Sequence, residues 1–345
     1  MKLEIFDGIQ QLEITTDRLR TNYLHRSGGA KKLILVHGNV SSSHFFQKLM
    51  LSIPSEFDVY APDLRGFGLS EAKGVDASRG VRDFSDDVFA FAKAMNLEKA
   101  SYLGWSLGGG VVMQLTIDHP ENVEKLILQA PVSPYGFGGT DLDGNLLNDG
   151  AGTGGGSANP DFVKAIAEKD FGDAEQTSPR NILRGVYVAE ASSLDQEDLW
   201  VSSMLTTVTG EENYPGNSSA SEHWPNTGPA NMGVLNSLAP TNFNTSGITE
   251  INPKPEILWI RGDSDAIVSD ASLFDLNQLG ALGAVPGWPG GDVAPPQQMI
   301  TQTRNVLDEY EKAGGKYTEL TLPGCGHSPH LEREQEVIAA LSSLI

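Results

Sequence analysis

Apolar positions in this chain fall into two alternating kinds of run. Short unbroken ones, Leu33–Val36, Val59–Ala61, Ser101–Gly104, Val123–Gln129, Ile257–Ile260 and Tyr317–Leu322, have strand length. Between them lie longer stretches whose apolar residues recur three and four apart, as in Phe84–Met95 and Leu107–His119. Unbroken apolar runs suit strands buried on both faces, and the 3.6-residue period suits helices that cover them. The pattern predicts an α/β fold, a mostly parallel central sheet flanked by helices. Residues 8–26 predict an antiparallel hairpin added to one edge.

The alternation breaks after Pro131. Residues 136–156, GFGGTDLDGNLLNDGAGTGGG, are too rich in glycine to form a regular element without a large loss of entropy, and they read as a hinge-like tract. From there to about residue 250 the chain reads as helices broken by loops, and the strand pattern resumes only at Pro255. The expected organisation is a core in two parts, 1–133 and 251–345, with a lid or cap at 134–250 inserted after the sixth strand. A smaller insertion, 280–297, follows the strand that ends near Arg261.

Charge and composition narrow the classes of partner. A formal net charge of -21 would repel a phosphate backbone, so nucleic acid is not an expected partner. Cys325 is the only cysteine, which excludes an intrachain disulfide and a thiolate metal cluster. No stretch is apolar for long enough to span a membrane, and the N-terminal residues lack the apolar run of a signal peptide; a cytoplasmic location is the expectation.

The strongest chemical signal is ASYLGWSLGGG at 100–110. A predicted strand ends at Gly104, a predicted helix starts after Ser106, and GWSLG fits the G-x-S-x-G nucleophile elbow. The turn is so tight that the serine backbone is strained and larger residues two before or two after would collide with neighbouring backbone. The hydroxyl is then held at a helix N-terminus, where developing negative charge is favoured. A serine nucleophile needs a base, and in this fold the order along the chain is Ser, acid, His. His37 and His119 read as structural and His223 lies in the insertion. His327, between Gly324 and the last helix in LPGCGHSPHLE, is the candidate base; His330 is expected to cap a helix or line the entrance. GDSD at 262–265 offers the acid: Asp265 past the turn is favoured over Asp263 within it, with Asp270 further on. The oxyanion needs two donors, expected from the backbone N–H of Leu107 and of Asn39 in HGNVSSS.

HGN at 37–39, DLRGFGLS at 63–70, GWSLGG at 104–109, GDSDAIV at 262–268 and GHSPHLE at 326–332 together resemble the α/β-hydrolase superfamily, in particular its small esterases, lactonases, C–C hydrolases, dehalogenases and cofactor-free haloperoxidases. The resemblance covers about residues 30–133 and 253–345. It implies Ser106 as nucleophile, Asp265 as acid, His327 as base, Asn39 and Leu107 at the oxyanion, and no cofactor or metal; DLRGFGLS is implied to be structural. Serine at the elbow disfavours dehalogenase and epoxide hydrolase chemistry, which use Asp there in this branch.

The expected activity is a serine hydrolase that cleaves a small or medium apolar carboxylic ester through an acyl-enzyme. Alternatives are a lactonase or hydroxyalkanoate-oligomer hydrolase, a C–C hydrolase or perhydrolase on the same scaffold, and a ligand receptor with residual activity. The partner is a small-molecule ester or lactone, without nucleic acid or membrane. Trp105, Phe137, Trp200 and Trp224 are the candidate pocket residues. DLDGNLLND at 141–149 has calcium-loop spacing but no glutamate at the twelfth position, so it reads as a solvated loop.

Overall fold

The computed structural model describes residues 3–97, 99–153 and 156–344. Ten strands follow one another among the described residues: β1 (Gln10–Thr15), β2 (Arg20–Arg26), β3 (Lys31–Val36), β4 (Phe57–Pro62), β5 (Ala100–Trp105), β6 (Val123–Gln129), β7 (Ser218–Ala220), β8 (Thr227–Pro229), β9 (Glu256–Gly262) and β10 (Tyr317–Leu322). Eight of them form one sheet in the order β1-β2-β4-β3-β5-β6-β9-β10. The predicted hairpin at 8–26 supplies the antiparallel edge: β1 pairs with β2, and β2 with β4. Every pairing from β4 to β10 is parallel.

Side chains dictate this arrangement. Leu33–Val36, Tyr102, Leu103, Leu126–Leu128 and Ile257–Ile260 are buried, as expected of strands covered on both faces. Truncating one of them, for example Leu103→Ala, is expected to cost about 2–5 kcal/mol. The helix Leu107–Asp118 is buried at ten consecutive positions, Leu107 to Thr116. It therefore lies within the molecule, whereas Arg82–Ala94 buries one face only.

The register decides where the site can be. Val36 pairs with Gly104, Gly104 with Leu128, and Leu128 with Trp259, so these strands end at one level. Leu322 pairs with Gly262 beside them. The loops that leave them carry Asn39, Ser106, Asp265 and His327 out at the same edge, where parallel sheets form their crevice.

Between Gln129 and Glu256 no described strand joins the main sheet. This segment holds short helices, Pro160–Ala167 and Glu197–Met204, and a π-helical turn, Leu183–Tyr187. It also holds the β7–β8 hairpin, which the reading of helices and loops lacked: Pro225 and Gly228 obscure strands of only three residues each.

The described part of the glycine tract, 136–153 and Gly156, is not a free hinge; Gly154 and Gly155 lie outside the described residues. Gly138 N–H donates to Gln297 Oε1, Gln297 Nε2 donates to Gly136 O at 3.2 Å, and Gln302 Nε2 donates to Thr140 Oγ1 at 2.9 Å. All these side chains are buried, where unpaired amides would be costly. Gly138, at φ 78, has no room for a Cβ because the Thr153 backbone lies against it. Glycine here permits close approach, and long-range hydrogen bonds hold the tract.

DLRGFGLS acts as a strut. The Asp63 carboxylate accepts from Ser43 N–H at 2.8 Å, Leu69 N–H at 2.9 Å and Asn22 Nδ2 at 2.7 Å, joining the turn at Ser43, its own loop and strand β2. Arg65 is buried and held by Asp87 at 2.7 Å.

Candidate active site

Ser106 stands at φ 57 and ψ -118, between the end of β5 and the helix that starts at Leu107. A non-glycine residue reaches this conformation only under surrounding constraint. The constraint is visible in the glycines. A Cβ on Gly104 would strike the Gly108 carbonyl and Val112, and one on Gly108 would strike the carbonyls of Val36 and His37. Ser106 N–H donates to Gln129 O at 3.0 Å, which ties the elbow to β6.

The loop after β3 is fixed by a buried histidine. His37 Nδ1 donates to Gly38 O at 2.8 Å and Nε2 accepts from Leu64 N–H at 3.0 Å. Burial holds its pKa below the ordinary range, so His37 stays neutral and structural. The next turn is strained as well, with Val40 at φ 45. It presents Asn39 to a cavity that Ser106 and Leu107 also line. Asn39 Oδ1 is enclosed without a hydrogen-bond partner.

Of the three aspartates after β9, one meets a histidine. His327 Nδ1 lies 2.8 Å from Asp265 Oδ2, both side chains being almost wholly buried. Asp265 Oδ1 accepts from Ile267 N–H at 2.8 Å and Val268 N–H at 3.0 Å, which fixes the rotation of the carboxylate. Asp263 instead accepts from Gly324 N–H at 2.7 Å, bracing the loop that carries His327. Asp270 accepts from Ile300 and Thr301 N–H, at the start of the helix Met299–Lys312.

His327 is positioned from two more sides. Trp105, next to Ser106, donates its Nε1–H to His327 O at 2.8 Å. Glu332 accepts from Gly326 N–H at 2.7 Å through Oε1 and from Ala189 N–H at 2.8 Å through Oε2. Tyr187, two residues before Ala189, donates its hydroxyl to Asn39 O at 3.0 Å. Residues 187–189 thus touch both the Asn39 loop and the His327 loop. Cys325 is buried against Glu332, and burial pushes its thiol far above the ordinary pKa, leaving it a space-filling group.

The cavity has a volume of about 550 Å³. Phe137, Phe162, Ile182, Tyr214, Leu235 and Leu238 come to it from the 134–250 segment, and Ile267, Val268, Leu273, Phe274, Leu276 and Leu279 from the segment after β9. Of the candidate pocket aromatics, Phe137 lines it and the three tryptophans do not. Trp105 is buried in the opposite direction, against His330 and Phe45, because neighbours at a strand end point to opposite faces. Trp200 is buried beside Phe45, and Trp224 donates to Pro286 O at 2.9 Å near the second insertion. Nor does His330 line the entrance: it is buried between Phe46 and Trp105, paired with Gln129 at 2.6 Å. Burial lowers its pKa to about 3, so it remains neutral.

The other histidines lie apart. His119 stacks on Phe89, with ring centres 3.6 Å apart, and His223 sits 3.5 Å from Asp149 on the surface. The Asp141 carboxylate accepts from Asp143 N–H, Asn145 N–H and Asn145 Nδ2, so its own loop engages both oxygens. No helix among the described residues is long and apolar enough to cross a membrane.

Residues 31–169 match a family model described as the alpha/beta hydrolase fold. A 2-hydroxymuconate semialdehyde hydrolase from Pseudomonas sp. (strain CF600) is 35% identical over 119 residues, 34% of this chain and 41% of the relative. A pimeloyl-[acyl-carrier protein] methyl ester esterase from Aliivibrio salmonicida is 33% identical over 108 residues, 31% of this chain and 39% of the relative. The matched part therefore spans less than half the length of these relatives. Among solved structures, a serine hydrolase from the polyaromatic hydrocarbon-degrading bacterium Cycloclasticus zankles superposes with a TM-score of 0.61 at 17% identity, covering 98% of this chain and 97% of its own, a likeness of fold.

Proposed function

We propose that this chain, which has the α/β-hydrolase fold, is a serine hydrolase that cleaves a carboxylic ester through an acyl-enzyme. The observation that carries this reading is the buried His327–Asp265 pair, anchored by its own carbonyl to Trp105 beside the strained Ser106. With Nδ1–H donated to Asp265, the imidazole keeps Nε2 as its basic nitrogen.

The steps follow. Ser106 Oγ attacks the ester carbonyl while His327 Nε2 takes its proton, and Asp265 stabilises the imidazolium. The tetrahedral oxyanion is met by the Leu107 and Asn39 N–H groups. The C–O bond to the alcohol breaks, and His327 returns the proton to that oxygen. Water then loses a proton to His327 and attacks the acyl carbonyl; the bond to Ser106 Oγ breaks, His327 returns the proton to that oxygen, and the acid leaves. Water activation on the acyl-enzyme needs no further group, so lactone opening is within the same scheme. The insertion 134–250 is the lid in this reading: its side chains supply one wall of the cavity over Ser106.

A fluorophosphonate tests the assignment. It is expected to add once per chain, on the peptide that contains Ser106, and Ser106→Ala is expected to abolish both labelling and turnover, leaving at most about 10³-fold catalysis over water. Full activity in Ser106→Ala contradicts the proposal.

A further inference from the structure

The walls of the cavity carry no charge. Its lining combines apolar side chains with the uncharged Asn39, Thr153, Ser157, Asn159 and Thr177, and no Lys, Arg, His, Asp or Glu is among the described lining residues. Asp161, which precedes the lining residue Phe162, is exposed to solvent, and Asp275, between the lining residues Phe274 and Leu276, is buried behind them. Its oxygens are occupied by Asn277 N–H at 2.9 Å and Gln297 N–H at 2.7 Å. The N–H groups at the oxyanion position are committed to the scissile carbonyl. A second anionic group on the ligand would therefore be stripped of water with no cation to receive it, which is among the costliest events in binding. The formal charge of -21 adds long-range repulsion to the same disfavour.

Building on the serine hydrolase reading, we infer that the site takes esters that are uncharged throughout, with an apolar arm along the Phe162–Ile182–Leu235 wall, and rejects esters that bear a carboxylate or phosphate elsewhere. The name of one relative, 2-hydroxymuconate semialdehyde hydrolase, denotes a substrate that carries a carboxylate. By this inference such a substrate is unsuited to the present cavity.

The test compares dimethyl adipate with monomethyl adipate, which match in length and differ by one carboxylate. At pH 7 the neutral diester is expected to show a kcat/KM at least about 100-fold higher, the scale set by burying an unpaired charge. Because cavity burial is not screened by salt, the ratio is expected to hold in 0.5 M NaCl. Leu273 lines the cavity and is 47% exposed, so Leu273→Arg can place a cation at its wall without disturbing the core. This variant is expected to narrow the ratio about tenfold, as pairing a buried charge restores part of its cost; Phe274→Lys, at a lining residue 42% exposed, is the second variant. Equal kcat/KM for the two esters, or a ratio that collapses in salt, overturns the inference. Fluorophosphonate labelling in parallel separates the levels. Labelled Ser106 without discrimination refutes only the charge selectivity, whereas an unlabelled chain inactive on both esters refutes the hydrolase reading and this inference with it.

Discussion

The two sides of the cavity are built by different means. On the sheet side, backbone does most of the work: a strained Ser106, a strained turn after Asn39, and an aspartate held by two N–H groups. Backbone constraints set the positions there, and the Asp265 carboxylate is held by His327 as well as by the two N–H groups. On the insertion side, side chains do the work. Phe162, Ile182, Leu235 and Leu238 come from short helices and turns, and they meet the cavity through apolar contact alone. Contacts of the first kind fix the position of reacting atoms, where small displacements cost rate. Contacts of the second kind select by shape and can change with little penalty to the chemistry. On the proposed mechanism, reaction is assigned to the sheet loops and most of the selectivity to the insertion.

The sharpest way to break this division is at the acid. Asp265→Asn is expected to lower kcat by about 10⁴-fold, because an amide cannot hold the Nδ1–H tautomer of His327. Asp263→Asn, which keeps an oxygen for Gly324 N–H but loses the charge that strengthens that bond, is expected to lower the melting temperature slightly while leaving most of the turnover. The opposite ranking in steady-state kinetics would show that Asp263 is the orienting carboxylate.

A second prediction concerns the clasp that ties the glycine tract to the core. Burial raises the Asp275 pKa from its ordinary 3.8 to about 6. The folded state therefore holds a proton that the unfolded chain gives up between these values. The group's contribution to stability is complete below about pH 4 and declines as pH rises through about 6. Asp275→Asn is expected to flatten that decline, removing up to about 3 kcal/mol of pH dependence. Chemical denaturation of both proteins at pH 4.5 and 7.5 measures it, and parallel profiles would contradict it.

A smaller effect is expected at the brace between the regions. Glu332→Gln keeps the shape but cannot accept from Gly326, Ala189 and Glu190 together. It is expected to lower kcat about tenfold with little change in KM, through looser placement of His327. A rise in KM at constant kcat would assign Glu332 to the cavity wall instead.

Much of the sheet side was legible because its constraints are local. Gly104, Ser106 and Gly108 stand within five residues at the end of a strand, and the GDSD turn is itself four residues, 262–265. Asp265 could be preferred to Asp263 on turn geometry alone. The insertion side was not legible in this way. Trp200 and Trp224 carry the same apolar signal whether they face a cavity or a core, and only packing across distant segments decides it. Trp105 was readable in principle: strand alternation turns the neighbour of an inward serine outward. His330 and Gln129 meet across 201 positions, and Gln297 meets Gly138 across 159, with no spacing to announce either. Glu332 had a weak signal, lying five residues after His327 in GHSPHLE, whereas Tyr187 had none.

The division itself is tested most directly by truncating the insertion's wall. Phe162→Ala and Ile182→Ala should shift the ratio of kcat/KM between p-nitrophenyl butyrate and decanoate by roughly 10- to 200-fold, the range of a lost apolar contact. The rate at which a small fluorophosphonate labels Ser106 should stay nearly constant in both. Trp200→Ala, from the same region but away from the cavity, should leave the ratio unchanged. A flat chain-length profile together with slowed labelling in the Phe162 and Ile182 variants would contradict the account, since the insertion would then be holding the chemistry and not choosing the substrate.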